Sequence, residues 1–328
     1  MRAFLVCCVG WRCDAHFPAL SEPSHAFFFF FTFHCVSICS CCRHLWHVHC
    51  GREARRMLNA AIYERTQILI GDEGVRKLQR VNVFLAGVGG VGGHCAEALV
   101  RGGVGRITIC DHDVVSASNK NRQIVALNST IGKSKVEVLA ERLQDINSHC
   151  RVTALDTLLL PEDVDDILTR QRYDYVVDCI DSVECKVALL VSSVRHGLQT
   201  FSSCGAGGRL DPSLVSIGDL FETENDALAR CCRNELRKHG IGPGKILVVH
   251  SKEKARRPLE PQRQESGGRD RAINGTISYM PPLFGLLLSA AVVRHALDPV
   301  GAQEEAMRLL KSAKKKAAKT KKRQRLEP

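Results

Sequence analysis

The sequence predicts an α/β protein: a mostly parallel sheet with helices on both faces, followed by a looser C-terminal extension of the same domain. Three observations carry this. The stretch VFLAGVGGVGGHCAEAL, residues 83 to 99, is an apolar run that breaks into glycines and then into a helical pattern. Strand-like and helix-like patterns alternate from Val81 to about Gly205, as βαβ units do. The chain of 328 residues is 45% apolar and 25% charged, enough for a sizeable core.

Residues 1 to 56 stand apart, because FPALSEPSHAFFFFFTFHCVSICSCCRHLWHVHC keeps no period of 2 or 3.6. Three readings of it stand open: a presequence, since AFFFFFTF is apolar; a zinc site drawn from Cys39, Cys42, His44, His47, His49 and Cys50, although the spacings match no familiar finger; or a disordered extension before Met57. The ordered pattern runs over residues 57 to 298. Strands are expected at Val81 to Ala86, Arg106 to Cys110, Val152 to Asp156, Tyr175 to Cys179 and Thr200 to Ser203, with helices at His94 to Arg101, Lys135 to Ile146 and Lys186 to His196. Beyond Gly208 the pattern loosens, leaving a helix at Asp226 to Lys238 and a strand at Ile246 to His250. A charged, Pro- and Gly-rich stretch at about 252 to 274 reads as a mobile loop. YMPPLFGLLLSAAVV, from Tyr279 to Val293, is too short and too interrupted by proline for a membrane span and reads as a buried helix.

The net charge of +11 is concentrated in the tail over 299 to 328, where KSAKKKAAKTKKRQRLEP carries nine Lys and Arg against one Glu; without it the chain stands at +3. Such a tail meets polyanions, serves as a targeting signal or solvates itself. Eight of the sixteen cysteines fall in the first 50 residues and the rest are scattered, which suggests a reducing compartment. The cytoplasm is expected; a mitochondrial place, or the mitochondrial outer membrane, is the alternative.

Gly87, Gly89, Gly90 and Gly92 sit where a strand turns sharply into a helix, and without Cβ atoms the backbone amides can approach phosphate oxygens. Asp111, about 20 residues on at the end of the next strand, is placed for ribose hydroxyls. A dinucleotide site would need neutral groups against a nicotinamide ring. DHDVVSASNKNRQIVALNSTIGKSK instead brings Asn119, Arg122, Gln123 and Lys135, whose cations suit a triphosphate from which pyrophosphate departs. TIGKS is no phosphate loop of the GxxxxGKS kind, since Leu127 stands where the first glycine belongs. A magnesium ion bridging the phosphates needs oxygen ligands. YVVDCIDSV supplies Asp178 and Asp181 at a strand tip on the same sheet edge, and Asp181 is the better placed.

The ordered set GVGGVG, DHD, SNKNRQ, GKSK and DCIDS resembles the adenylating domain of the ubiquitin-activating and sulfur-carrier-activating superfamily. Within it, NRQIVAL, CGAGGRLDP, LARCCRNELRKHGI and GTISYMPPLFGL look most like the tRNA threonylcarbamoyladenosine dehydratases. The resemblance implies a Rossmann-like homodimer that uses ATP and Mg2+ to adenylate the threonyl carboxylate of threonylcarbamoyladenosine at position 37 of tRNA; an internal nucleophile then closes a ring and AMP departs. It assigns the phosphate turn to the four glycines, ribose to Asp111, phosphate contacts to Arg122 and Lys135, and the metal-linked acid to Asp181. Asn119 and Gln123 support the adenylate site. Arg65, in YERTQILIG, resembles an arginine that reaches into the partner subunit's site. The alternative is an activator of a ubiquitin-like or sulfur-carrier protein, which shares the ATP site but takes a C-terminal glycine carboxylate. A scaffold that only keeps the fold fits less well with intact Asp111, Arg122, Lys135 and Asp181. Cys204 and Cys185 are expected to be inert thiols.

Overall fold

The computed structural model describes residues 61–256, 274–302 and 304. The extension over 1 to 56 with its zinc candidates, most of the expected loop (257–273) and most of the basic tail (303 and 305–328) lie outside the described residues.

Helix α1 (residues 61–80) is interrupted at Gly71, whose φ is +70°. There follow β1 (Asn82–Ala86), α2 (Gly92–Gly102), β2 (Arg106–Asp111), α3 (Lys135–Ile146), β3 (Arg151–Asp156), α4 (Val164–Thr169), β4 (Tyr175–Asp178) and α5 (Val183–Arg195). The chain continues through β5 (Gln199–Ser203), β6 (Val215–Asp219), α6 (Ala227–Lys238), β7 (Ile246–Ser251) and α7 (Met280–Leu297). The strands form one sheet in the order β3-β2-β1-β4-β5-β7-β6, parallel except for β6, which runs antiparallel to β7.

Successive residues of a strand point to opposite faces, and β1 is covered on both. Val83 and Leu85 join Leu99, Ile109, Leu139 and Phe284 on one side, while Phe84 and Ala86 join Val176, Leu189 and Ile167 on the other. A further cluster, with Leu190, Cys232, Leu236 and Val248, extends the second face under α6. The expected elements before α7 appear with their ends shifted by at most three residues, and the helix at Lys135–Ile146 without any shift. The structure adds three that the sequence pattern did not single out: α1, the six-residue α4 and the edge strand β6, whose first four residues are only half-buried and so carry little alternation.

The expected buried helix is α7, longer than predicted. Among the described residues it alone is long and apolar enough to cross a membrane, yet Met280, Phe284, Leu288 and Val292, at a spacing of four, are buried in the core. A Cβ on Gly285 would lie 2.3 Å from the Val91 carbonyl oxygen, so α7 meets the start of α2 in backbone contact. The strand order reverses between β1 and β4. At such a switch point the loops leaving the carboxyl ends of the two strands part to leave a crevice.

Candidate functional site

The loops that follow β1 and β4 build that crevice. Gly87 adopts φ +88°, and a Cβ there would stand 2.7 Å from the Cys179 carbonyl oxygen; a Cβ on Gly92 would stand 1.8 Å from the Gly87 oxygen. Both positions therefore require glycine, and the turn lies directly against the loop leaving β4. The amides of Gly89, Gly90, Val91 and Gly92 have no backbone acceptor among the described residues. They open the eleven-residue α2, and a helix start with free amides attracts an anion.

Asp111 closes β2 and braces the turn. Its Oδ2 accepts from the Val88 amide at 2.6 Å and its Oδ1 from the Asp113 amide at 2.9 Å. Each oxygen keeps acceptor capacity for a ribose hydroxyl. Asn119 shapes the loop that delivers the cations: its Oδ1 accepts from the Ser116 amide at 3.2 Å in a capping box. Gly90 faces Arg122, whose Cγ would lie 3.2 Å from a Cβ there, and the Arg122 guanidinium donates to the Ser118 carbonyl at 3.0 Å and to Asn121 Oδ1 at 2.9 Å. Gln123 is buried beside Gly89, and its Oε1 finds no partner among the described residues. A buried amide oxygen left alone is a place where a donor on a ligand is wanted.

Lys135, at the start of α3, is buried and donates to Asp113 Oδ2 at 2.7 Å, so the cation faces an acid of the DHD run. Asp181 is exposed in the loop after β4 and has no partner among the described residues. Asp178, weighed beside it, is fully buried and occupied: it pairs with Lys186 Nζ at 2.6 Å and accepts from Ser202 Oγ at 2.6 Å. An exposed carboxylate with free oxygens suits magnesium; a buried, saturated one does not.

Arg65 is not with the others. Two residues before it, Tyr63 packs on Gly103 and accepts from Asn147 Nδ2 at 2.9 Å, at the end of α2 away from the glycine turn. Arg65 itself is exposed, and α2 separates that end from the turn by roughly 16 Å at 1.5 Å per residue. Cys204 is buried, and burial, with Asp226 nearby, pushes its thiol well above the ordinary value; Cys185 is half-buried.

Two features escaped the sequence reading. Residues 274–279 form a strap: the Gly275 oxygen accepts from the Gly208 amide at 2.8 Å, the Thr276 oxygen from Asn121 Nδ2 at 2.9 Å, and Tyr279 Oη donates to the Leu210 oxygen at 2.8 Å. It ties the loop after β5 to the cation-bearing loop. Arg209 and Asp226 form a buried pair at 2.9 Å that holds Gly205 through its amide and carbonyl. Their signal, an Arg and an Asp at the ends of apolar runs, is visible in sequence but carries no address for a partner.

Comparison with known proteins shows what the chain as a whole is similar to. The ThiF family matches residues 63–325. The chain is 35% identical over 244 residues to the tRNA threonylcarbamoyladenosine dehydratase of Bacillus subtilis (strain 168), covering 73% of this chain and 95% of that protein. It is 40% identical over 172 residues to the enzyme of the same name from Escherichia coli (strain K12), covering 52% of this chain and 64% of that one. The crystal structure of E. coli tRNA N6-threonylcarbamoyladenosine dehydratase, TcdA, in complex with AMP superposes with a TM-score of 0.64 at 32% identity, covering 72% of this chain and 94% of that chain. A second structure of the same protein holds ATP, with a TM-score of 0.63 and 33% identity.

Proposed function

This chain belongs to the ThiF family, and from that premise we propose that it dehydrates threonylcarbamoyladenosine at position 37 of tRNA, at the expense of ATP. The observation that carries the reading is the glycine turn with free amides, bordered by Arg122 and the orphaned Gln123 oxygen and braced by Asp111, in a chain matched to dehydratases along most of its ordered length. ATP lies with its ribose toward Asp111 and its phosphates over the start of α2. The threonyl carboxylate attacks the α-phosphorus and pyrophosphate leaves; an internal nucleophile of the modified base then attacks the activated carbonyl and displaces AMP. No enzyme nucleophile is required, in keeping with the buried Cys204.

In this reading Arg122 and Lys135 act on the negative charge that develops on the phosphates, with Asn119 holding the Arg122 loop and Gln123 meeting a donor of the adenylate. Asp181, with Asp111 already accepting two backbone amides, is the acid that fits magnesium; the ion would neutralise phosphate charge when bound. Incubating the protein with ATP and tRNA carrying the modification, then digesting and weighing the nucleosides, tests the function. Loss of one water from that nucleoside, dependent on ATP, is expected. Turnover only with a carrier protein ending in glycine would replace this reading by that of a carrier activator.

A homodimer belongs to the same proposal. Ile68 and Leu69, three and four residues after Arg65, are 78% and 85% exposed, the highest values among the large apolar side chains of the described residues. A second copy covering this face would carry Arg65 to its partner's site. Arg65→Ala and Asp181→Ala homodimers are then both inactive, whereas subunits exchanged between them recover about a quarter of the sites by random pairing. Mixing that recovers nothing would remove Arg65 from the site.

A further inference from the structure

Resting on the nucleotide site just proposed, we propose that Lys186 is a positioning residue that acts through Asp181: its ammonium and the Asp178 carboxylate clamp the backbone of Ile180, and the clamped turn presents Asp181 to the phosphates and their metal.

The pair sits beneath the loop that joins β4 to α5. Lys186 and Asp178 are 1% and 0% exposed, and Lys186 Nζ lies 2.6 Å from Asp178 Oδ2. Asp178 Oδ1 accepts from the Ile180 amide at 3.0 Å, while Lys186 Nζ donates to the Ile180 carbonyl, also at 3.0 Å. One ion pair thus holds the backbone groups on both sides of one residue, and the held carbonyl belongs to the peptide that joins Ile180 to Asp181. The other flank is fixed too: the Cys179 amide donates to the Ala86 oxygen at 2.8 Å, and the Cys179 carbonyl abuts Gly87. The two halves of the crevice are therefore tied together along Cys179 and Ile180, the two residues that lead into Asp181.

Asp181 has no partner of its own among the described residues, so nothing it touches orients it and its place is inherited from the turn. Stability gives a poor reason for burying such a pair, since well-packed apolar replacements are often as stable or more so. What an apolar pair cannot do is donate to one side of Ile180 and accept from the other. The ammonium stays charged: burial alone would push the Lys186 pKa down, but the neighbouring Asp178 carboxylate outweighs that and holds it above the ordinary lysine value.

The test is a double-mutant cycle in the full-length chain, read as affinity for ATP by titration calorimetry with magnesium and again in chelator. Lys186→Met is expected to weaken magnesium-ATP binding about tenfold and metal-free ATP binding less than about twofold, and to add nothing once Asp181 is already Ala. Asp178→Asn/Lys186→Met removes the pair without leaving a lone buried charge and should show the same loss. A loss of equal size with and without Asp181, an equal loss for metal-free ATP, or no loss overturns the proposal. So does failure of both Lys186 variants to fold, which would assign the pair to stability. If wild type binds ATP but leaves the modified tRNA unchanged, the dehydratase reading fails while the cycle can still be read.

Discussion

Arg122 borders Gly90, and Asp181 directly follows the Cys179–Ile180 segment that borders Gly87, so loops bearing opposite charges flank one glycine turn. Neither is a structural support. Asp181 has no hydrogen-bond or ion-pair partner among the described residues, and the Arg122 guanidinium makes its two hydrogen bonds within its own loop. Asp181→Ala and Arg122→Ala should each lower kcat/KM by roughly 100-fold or more, as expected when a stabiliser of developing charge is removed, while thermal stability shifts by only about 0.5 kcal/mol. Wild-type turnover in either variant would remove that residue from the site. Most of these residues were legible in sequence because their types and order suffice: glycines where amides must approach an anion, an acid at the next strand end, cations close behind. Lys186 was not legible as a site residue. In DCIDSVECKVAL it stands among apolar neighbours of a helix, and only the fold brings it onto both sides of Ile180.

The legibility of the elements follows their burial. β1 and β4 are buried at every residue, and their β-branched and aromatic runs between turn signals could be read directly. β6 could not: it lies at the sheet edge with a half-buried face, and its antiparallel direction depends on β7, more than 25 residues later. α7 was recognised as a buried helix but not as a support of the glycine turn, because its contact with α2 runs through the missing side chain of Gly285. That contact gives a prediction. In Gly285→Val the new Cβ meets the Val91 oxygen at a distance no real contact allows, so α7 must move away from the first turn of α2. Overpacking of this kind costs about 1–3 kcal/mol. Here it also shifts the free amides, so ATP affinity should fall together with the melting temperature. A stable variant with unchanged ATP binding would show that the helix contact does not set the turn.

Acid stability is a property of the whole folded chain, and His250 gives it a direction. Burial first, and the nearby Lys252 and Arg209 in addition, hold its imidazole at about 4, against 6.5 when free, with Asp226 opposing. Between those values the unfolded chain binds the extra proton, so this contribution is complete above pH 6.5 and is lost as pH falls toward 4, by on the order of 3 kcal/mol. His250→Asn should flatten that part of a urea-unfolding series against pH; an unchanged slope would place the proton elsewhere. Charge at the scale of the molecule also bears on the substrate. The basic run from Lys311 to Arg325 carries nine of the chain's 46 Lys and Arg residues and has no aromatic side chain to stack a base. If it touches tRNA it does so through phosphates alone, and such contacts release counterions, each adding to the salt dependence of binding. Deleting residues 311–328 should therefore weaken capture of modified tRNA most at low salt and make the slope of log affinity against log salt shallower. Turnover at saturating tRNA should stay unchanged, because the proposed site places the reacting groups at the glycine turn. Identical affinity and slope in the full-length and shortened proteins would mean that the tail does not contact RNA and that tRNA is held by the folded domain.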